Sequence, residues 1–248
     1  MENKRRIHIA TSGWYYEHWR GPFYPEDLPK KDFLSYYSRR FSTVEINSTF
    51  YGLPEEKTLK DWSRAVPEGF IFSVKANRFI THNKKLKDPR RTLPPFLSRI
   101  DGLGVKLGPV LFQLPPSWNL NVERLEEFLA ALPQGYLYAF EFRDTAWFDE
   151  RVYRALEKRG AAFCVYDFNG VLSPKKLTAG FAYIRLHGPA GKYMGKYSEE
   201  ALSGWADLIT AWAGGGRAIY CYFDNDEAGY AARDALRLNE MVEGGVAP

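Results

Sequence analysis

Residues 70–77 read FIFSVKAN. Phe70, Phe72, Val74 and Ala76 alternate with Ile71, Ser73, Lys75 and Asn77, so one side of an extended segment is apolar while the other turns polar towards its end. A short run of period two reads as a strand. With Lys75 and Asn77 confined to its second half, the strand belongs to a sheet whose two ends differ in chemistry.

Seven further runs have the same length and character: residues 7–13, 43–48, 110–114, 137–143, 161–167, 181–187 and 218–224. Helix-length segments separate most of them. Asn121 is placed to cap a helix in which Val122, Leu125, Phe128, Leu129 and Leu132 recur at helical spacing, and Ser198 to cap another with Leu202, Trp205, Ala206, Ile209 and Trp212 on one face. The last helix shows a face of small residues, Ala228, Ala231, Ala232 and Ala235, ending in Leu238. Strands that alternate with helices pair in parallel, and eight of them predict a (β/α)8 TIM-type barrel, read as one domain over residues 1–248. Residues 168–180 are too short and irregular for a full helix, so the sixth is expected to be short or missing. The connections at 14–28, 78–95 and 188–197 are long, and each follows a strand. In such barrels the loops after strands build the active face.

Composition sets outer limits. Of the 248 residues, 45% are hydrophobic and 26% charged, which is ordinary for a globular protein with a sizeable core. The net charge of +4 permits contact with nucleic acid or small anions and demands neither. Cys164 and Cys221 lie in apolar runs without CxxC spacing and read as buried, reduced thiols. The basic start, MENKRRIHIA, has no apolar stretch behind it, and no run approaches the roughly 18 residues of a membrane span. A cytoplasmic protein without a membrane segment is the expectation.

The alternation also locates a site. Glu45 and Asn47 oppose Val44 and Ile46; Ala139, Glu141 and Arg143 oppose Tyr138, Phe140 and Phe142; Tyr183, Arg185 and His187 oppose Ala182, Ile184 and Leu186. The same parity turns Gln113 and Asp167 inward. The polar members gather at the C-terminal strand ends, above apolar or small residues such as Ile71 and Ala139. A buried, unpartnered charge costs several kcal/mol, so these groups need either one another or a ligand. A self-satisfied ion-pair network is one reading. A chemical site is the other, and barrels keep polar residues at this end for chemistry.

The run of motifs SGWYYEHW (12–19), FYP (23–25), VEINSTFY (44–51), FSVKANRFITH (72–82), LFQLPPSW (111–118), EFR (141–143), RLHG (185–188) and YFDND (222–226) resembles the YecE-like family, domain of unknown function 72. The resemblance runs from about Ile7 to the last helix. It implies a TIM-type barrel and no particular activity. Carried over residue by residue, it points to Trp14, Glu45, Asn47, Lys75, Gln113, Glu141, Arg143, Arg185 and His187, the set that alternation turns inward together with Trp14. At Asp224 the family pattern leads one to expect Asn, so Asp224 stays outside the candidate set.

Which chemistry fits? A metal needs several carboxylates or imidazoles with few competing cations, whereas Lys75, Arg143 and Arg185 share this end with His187. No metal is expected. There is no GxSxG elbow and no Gly-rich phosphate loop, so neither a serine nucleophile nor a dinucleotide cofactor is expected. Acid–base chemistry fits better, with Glu45, Lys75, Glu141 and His187 as the catalytic candidates. Arg143 and Arg185 suit an oxyanion, and Trp14, Asn47, Gln113 and Asp167 complete a substrate-binding set. Aromatics in the mouth loops, among them Tyr15, Trp19, Tyr24, Trp147, Tyr193 and Tyr197, suit stacking on sugars or bases. The expected partner is thus a small anionic molecule, phosphorylated or carboxylated and sugar-like. Lys84, Lys85, Lys87, Arg90 and Arg91 keep a nucleic-acid-binding or -processing barrel open as the alternative, and a non-catalytic ligand-binding module is a third.

Overall fold

The computed structural model describes residues 6–244; residues 1–5, where the basic N-terminal run begins, and 245–248 lie outside it. Strands β1 (Ile7–Thr11), β2 (Thr43–Ile46), β3 (Ile71–Lys75), β4 (Leu107–Gln113), β5 (Tyr138–Glu141), β6 (Ala162–Phe168), β8 (Phe181–Leu186) and β9 (Ala218–Phe223) coincide with the eight runs read from the sequence. Helices α1 (Phe33–Tyr37), α2 (Glu56–Ala65), α3 (Pro89–Ile100), α4 (Val122–Ala131), α5 (Glu150–Arg159), α6 (Glu199–Gly214) and α7 (Tyr230–Gly244) follow seven of them. The strand order is β1-β9-β8-β6-β5-β4-β3-β2. No helix among the described residues is long and apolar enough to cross a membrane.

The sixth connection has no helix. Instead β7 (Val171–Leu172) folds back antiparallel on β6, with Asp167 opposite Leu172 and Phe168 opposite Val171. The turn is Asn169–Gly170, with φ of 51° and 78°. Two successive positive φ values define the hairpin turn that Asn-Gly favours, so a two-residue motif replaces a helix here.

The described residues form two compact units. One takes the residues up to Val44, Val165–Ser173 and those from Phe181 on; the other takes Glu45–Cys164 and Pro174–Gly180. In the first, β1, β9 and β8 run in parallel, with Ala10 and Arg185 both in register with Tyr222. His8 stacks on Tyr220 with ring centroids 4.9 Å apart, at the end of the sheet away from the polar cluster. An aromatic core under the first long loop joins Tyr24, stacked on Phe33 at 4.1 Å, to Trp19, Phe23, Tyr37 and Phe41. Helix α6 starts where Ser198 accepts a hydrogen bond from the Ala201 N–H, and α7 buries Ala231, Ala232, Ala235 and Leu238.

In the second unit β3, β4 and β5 and the start of β6 are parallel, with Lys75 opposite Leu111 and Gln113 opposite Glu141. Helix α4 is capped by Asn121, which accepts from the Arg124 N–H at 2.8 Å. Helix α3 begins earlier than the sequence suggests, at Pro89 within the expected loop 78–95, and runs through Pro94 and Pro95. Both prolines are exposed, while Leu93, Phe96, Leu97 and Ile100 are buried. Packing of that apolar face overrides the helix-breaking tendency of the proline pair.

Candidate functional site

In the first unit the strand ends carry a buried polar cluster. The Arg185 Nη2 donates to Asp224 Oδ2 at 2.9 Å and to Ser12 Oγ at 3.2 Å. His187 Nδ1 lies 3.0 Å from the same Asp224 oxygen, and its Nε2 lies 3.4 Å from Arg185 Nη1. An ionised carboxylate only accepts, so this geometry puts a proton on Nδ1. Arg185 and His187 are wholly buried and Asp224 is 5% exposed. Register explains the meeting: Arg185 lies opposite Tyr222, so two residues further on His187 reaches Asp224 on the same face, and Ser12 extends β1 beside them.

Asp167 stands at the edge of this cluster. Its carboxylate accepts the Tyr197 hydroxyl at 3.1 Å, and that hydroxyl accepts the Gly188 N–H at 3.0 Å. Burial raises the Asp167 carboxyl above its ordinary range, against the opposing pull of Tyr197 and His187. Burial and the neighbouring carboxylate likewise push the Tyr197 phenol up. Gly188, with φ of 105°, cannot take a side chain, because a Cβ there would run into the Met194 carbonyl. The loop it opens brings Tyr193, itself at φ 64°, edge-on to His187 with centroids 5.6 Å apart. Trp14 is 5% exposed, and its carbonyl accepts the Tyr24 hydroxyl at 2.5 Å.

The second unit holds the remaining candidates. Glu141 is wholly buried and pairs through Oε1 with the Arg143 Nε, two residues along the same strand face. The Cys164 thiol approaches the other Glu141 oxygen at 3.9 Å. Gln113, beside Glu141 in register, donates to the Leu114 carbonyl at 2.9 Å. The Lys75 ammonium lies 4.7 Å from the centroid of the Phe50 ring, and Phe50 packs edge-on against His82 at 5.0 Å. Burial first, then the cations Lys75 and Arg78, lower the His82 pKa to about 4. Glu45 is wholly buried on β2, and Asn47, just beyond β2, is half-buried.

The expected residues therefore fall into two groups, one to each unit. Asp167, Arg185 and His187 meet in the first; Glu141 and Arg143 meet in the second, with Gln113 alongside. Two members of the first group were not anticipated, Ser12 and Asp224. The signal for both was present: Asp224 shares parity with Tyr220 and Tyr222, and Ser12 with His8 and Ala10. Most of the loop aromatics turn out to be packing residues. Trp19, Tyr24, Trp147 and Tyr197 are buried, and among the rings left open are Tyr15 and Tyr193. Both arginines already hold carboxylates, so an incoming anion has to compete with Glu141 or Asp224.

A family model described as "Protein of unknown function DUF72" matches residues 8–247. The UPF0759 protein YunF of Bacillus subtilis (strain 168) is 24% identical over 98% of both chains. The UPF0759 protein YecE of Escherichia coli (strain K12) is 29% identical over 54% of this chain and 52% of its own. Among solved structures, the DUF72 family protein TM1631 of Thermotoga maritima MSB8 superposes with a TM-score of 0.88, 32% identity, and coverage of 96% of this chain and 100% of that one. The DUF72 family protein EF0366 of Enterococcus faecalis V583 shares the fold alone, with a TM-score of 0.83 at 17% identity over 96% of this chain and 95% of its own. The fold is thus a TIM-type barrel, and the chain belongs to the uncharacterised DUF72 family.

Proposed function

We propose that the protein is an enzyme that moves a proton on a small polar anion, a phosphorylated or carboxylated sugar-like compound, with Asp224 and His187 as the pair that does it. The observation that carries this reading is the 3.0 Å contact between Asp224 Oδ2 and His187 Nδ1 at the C-terminal ends of β8 and β9. A carboxylate on Nδ1 fixes the imidazole's tautomer and orientation, and Nε2, which faces Arg185 Nη1, takes or returns a proton once the substrate displaces that contact. Arg185, 3.4 Å from Nε2, offers a positive charge at that same place, where a substrate oxyanion is stabilised as the proton moves. Tyr193, open on one side and edge-on to the imidazole, suits the flat face of a sugar ring. Glu45, Lys75 and Glu141 are the further catalytic candidates, with Asn47, Gln113 and Arg143 as binding groups in the second unit.

Native mass spectrometry of the purified protein identifies any retained small molecule. A panel of sugar phosphates and sugar acids followed by proton NMR in heavy water then reads turnover or solvent exchange. His187→Gln and Asp224→Asn are each expected to slow that reaction by about 10²–10⁴-fold. Undiminished turnover in His187→Gln rejects the assignment.

A further inference from the structure

The chain's positive charge is concentrated in one place. Residues 78–91, RFITHNKKLKDPRR, hold six cations and one acid, a net +5; the whole chain is +4, so the remainder is −1. Elsewhere on the surface several cations are matched by neighbours: Lys57 by Asp61, Lys60 by Glu56, Arg151 by Asp149, Lys176 by Glu150 and Arg237 by Glu199. Here only Lys84 is matched, to Asp88 at 3.4 Å. Arg78, Lys85, Lys87, Arg90 and Arg91 are exposed and make no ion pair among the described residues.

The segment is held rather than loose. Leu86 is wholly buried and its N–H donates to the Ile80 carbonyl at 3.0 Å, which turns the flanking lysines outward. Lys85, Leu86 and Asp88 sit at φ of 46°, 63° and 53°, a conformation that side chains disfavour and that the surrounding packing has to maintain. Two aromatic rings lie open beside the cations. Phe79 is 49% exposed within the segment, and Tyr51 is 76% exposed. Tyr51 joins the segment through Phe50, which touches both Tyr51 and His82 at centroid distances of 5.1 and 5.0 Å.

We infer that residues 78–91, with Tyr51, form a binding surface for single-stranded nucleic acid. Unmatched cations on a fixed backbone meet a chain of phosphates, and open rings stack on unpaired bases; neither feature alone selects this partner, and the two together do. The surface lies wholly in the second unit and does not depend on the proton-transfer reading.

The test is fluorescence anisotropy with a labelled oligo(dT) of about 20 nucleotides, titrated from about 50 mM salt upward. Binding is expected, and Lys87→Gln/Arg90→Gln/Arg91→Gln should weaken it about tenfold or more and flatten the slope of log K against log salt by about 2. Removing as much charge by Lys57→Gln/Arg151→Gln/Lys176→Gln should change it little. Tyr51→Ala/Phe79→Ala should weaken oligo(dT) about fivefold or more and leave competition by inorganic polyphosphate unchanged. All the substituted side chains are exposed or partly so, and a thermal melt verifies that each variant is folded. Absence of binding at the lowest salt, indifference to the basic triple variant, tighter binding of duplex than of single strand, or indifference to loss of the rings overturns the inference.

Discussion

The two units solve the same problem, a buried guanidinium, in different ways. Arg185 is partnered across strands: Asp224 lies 39 residues away and meets it at 2.9 Å because β8 and β9 are in register. Arg143 is partnered along its own strand, by Glu141 two positions earlier on the same face. The first arrangement exists only in the folded sheet and draws in His187 and Ser12. The second needs little more than an extended backbone. A cluster that tests the register is the one whose loss should be felt most, and a pair within one strand should be more forgiving.

Removing Asp224 is the strongest way to press this difference. Asp224→Ala takes away a carboxylate that the wholly buried Arg185 meets at 2.9 Å and should destabilise the protein by about 3–5 kcal/mol in urea unfolding. Asp224→Asn, which keeps an acceptor, should cost less. Equal stability of the Ala variant and the parent would erase the contrast. Glu141→Ala should cost about 2–3 kcal/mol, less because Arg143 lies just beyond the end of β5 and, unlike Arg185, is not wholly buried. If Glu141→Ala instead matches or exceeds the parent, that pair is maintained for a ligand at the expense of stability, which strengthens the enzyme reading.

Smaller effects sharpen the comparison. Gly170→Ala places a side chain at φ 78° in the hairpin that ends β6 and should cost about 1 kcal/mol by the same urea assay. In the second unit His82 reports on Lys75. With a folded pKa of about 4 against an ordinary 6.5, His82 contributes stability that is present above pH 6.5 and lost as pH falls through about 4. Lys75→Met should raise the His82 pKa, seen by NMR titration of the ring proton, yet leave it below 6.5, because burial is the larger cause and stays in place. No movement would mean that the Lys75 charge is not felt at His82.

What the sequence disclosed follows the same division. Strand alternation alone sorted Glu141 with Arg143 and Arg185 with His187, since residues two apart on a strand share a face whatever lies next door. It could not pair Arg185 with Asp224, because the register between strands is a property of the assembled sheet. The caps at Asn121 and Ser198 were legible, being local hydrogen bonds written in four residues. The start of α3 was not, because Pro94 and Pro95 argue locally against a helix that burial of Leu93, Phe96 and Leu97 enforces. The missing sixth helix was legible in the short, irregular stretch 168–180; the Asn169–Gly170 hairpin that stands in its place was not read, although its turn signal was in plain sight.

The pairing of β1 with β9 has a consequence for how the protein is made. Ile7 is aligned with Ile219, so β1 leaves the ribosome long before β9 and waits for it before this part of the sheet can close. At about 5–20 residues per second the wait is on the order of 10–40 s. For that interval Ile9 and Ala10, both buried in the finished protein, lack their neighbours Cys221 and Tyr222 and face solvent, a chaperone or one another's nascent copies. A stall or truncation before β9 would leave β1 apolar and unpaired on that side, so the strand Ala218–Phe223 governs whether Ile7–Thr11 finds its place.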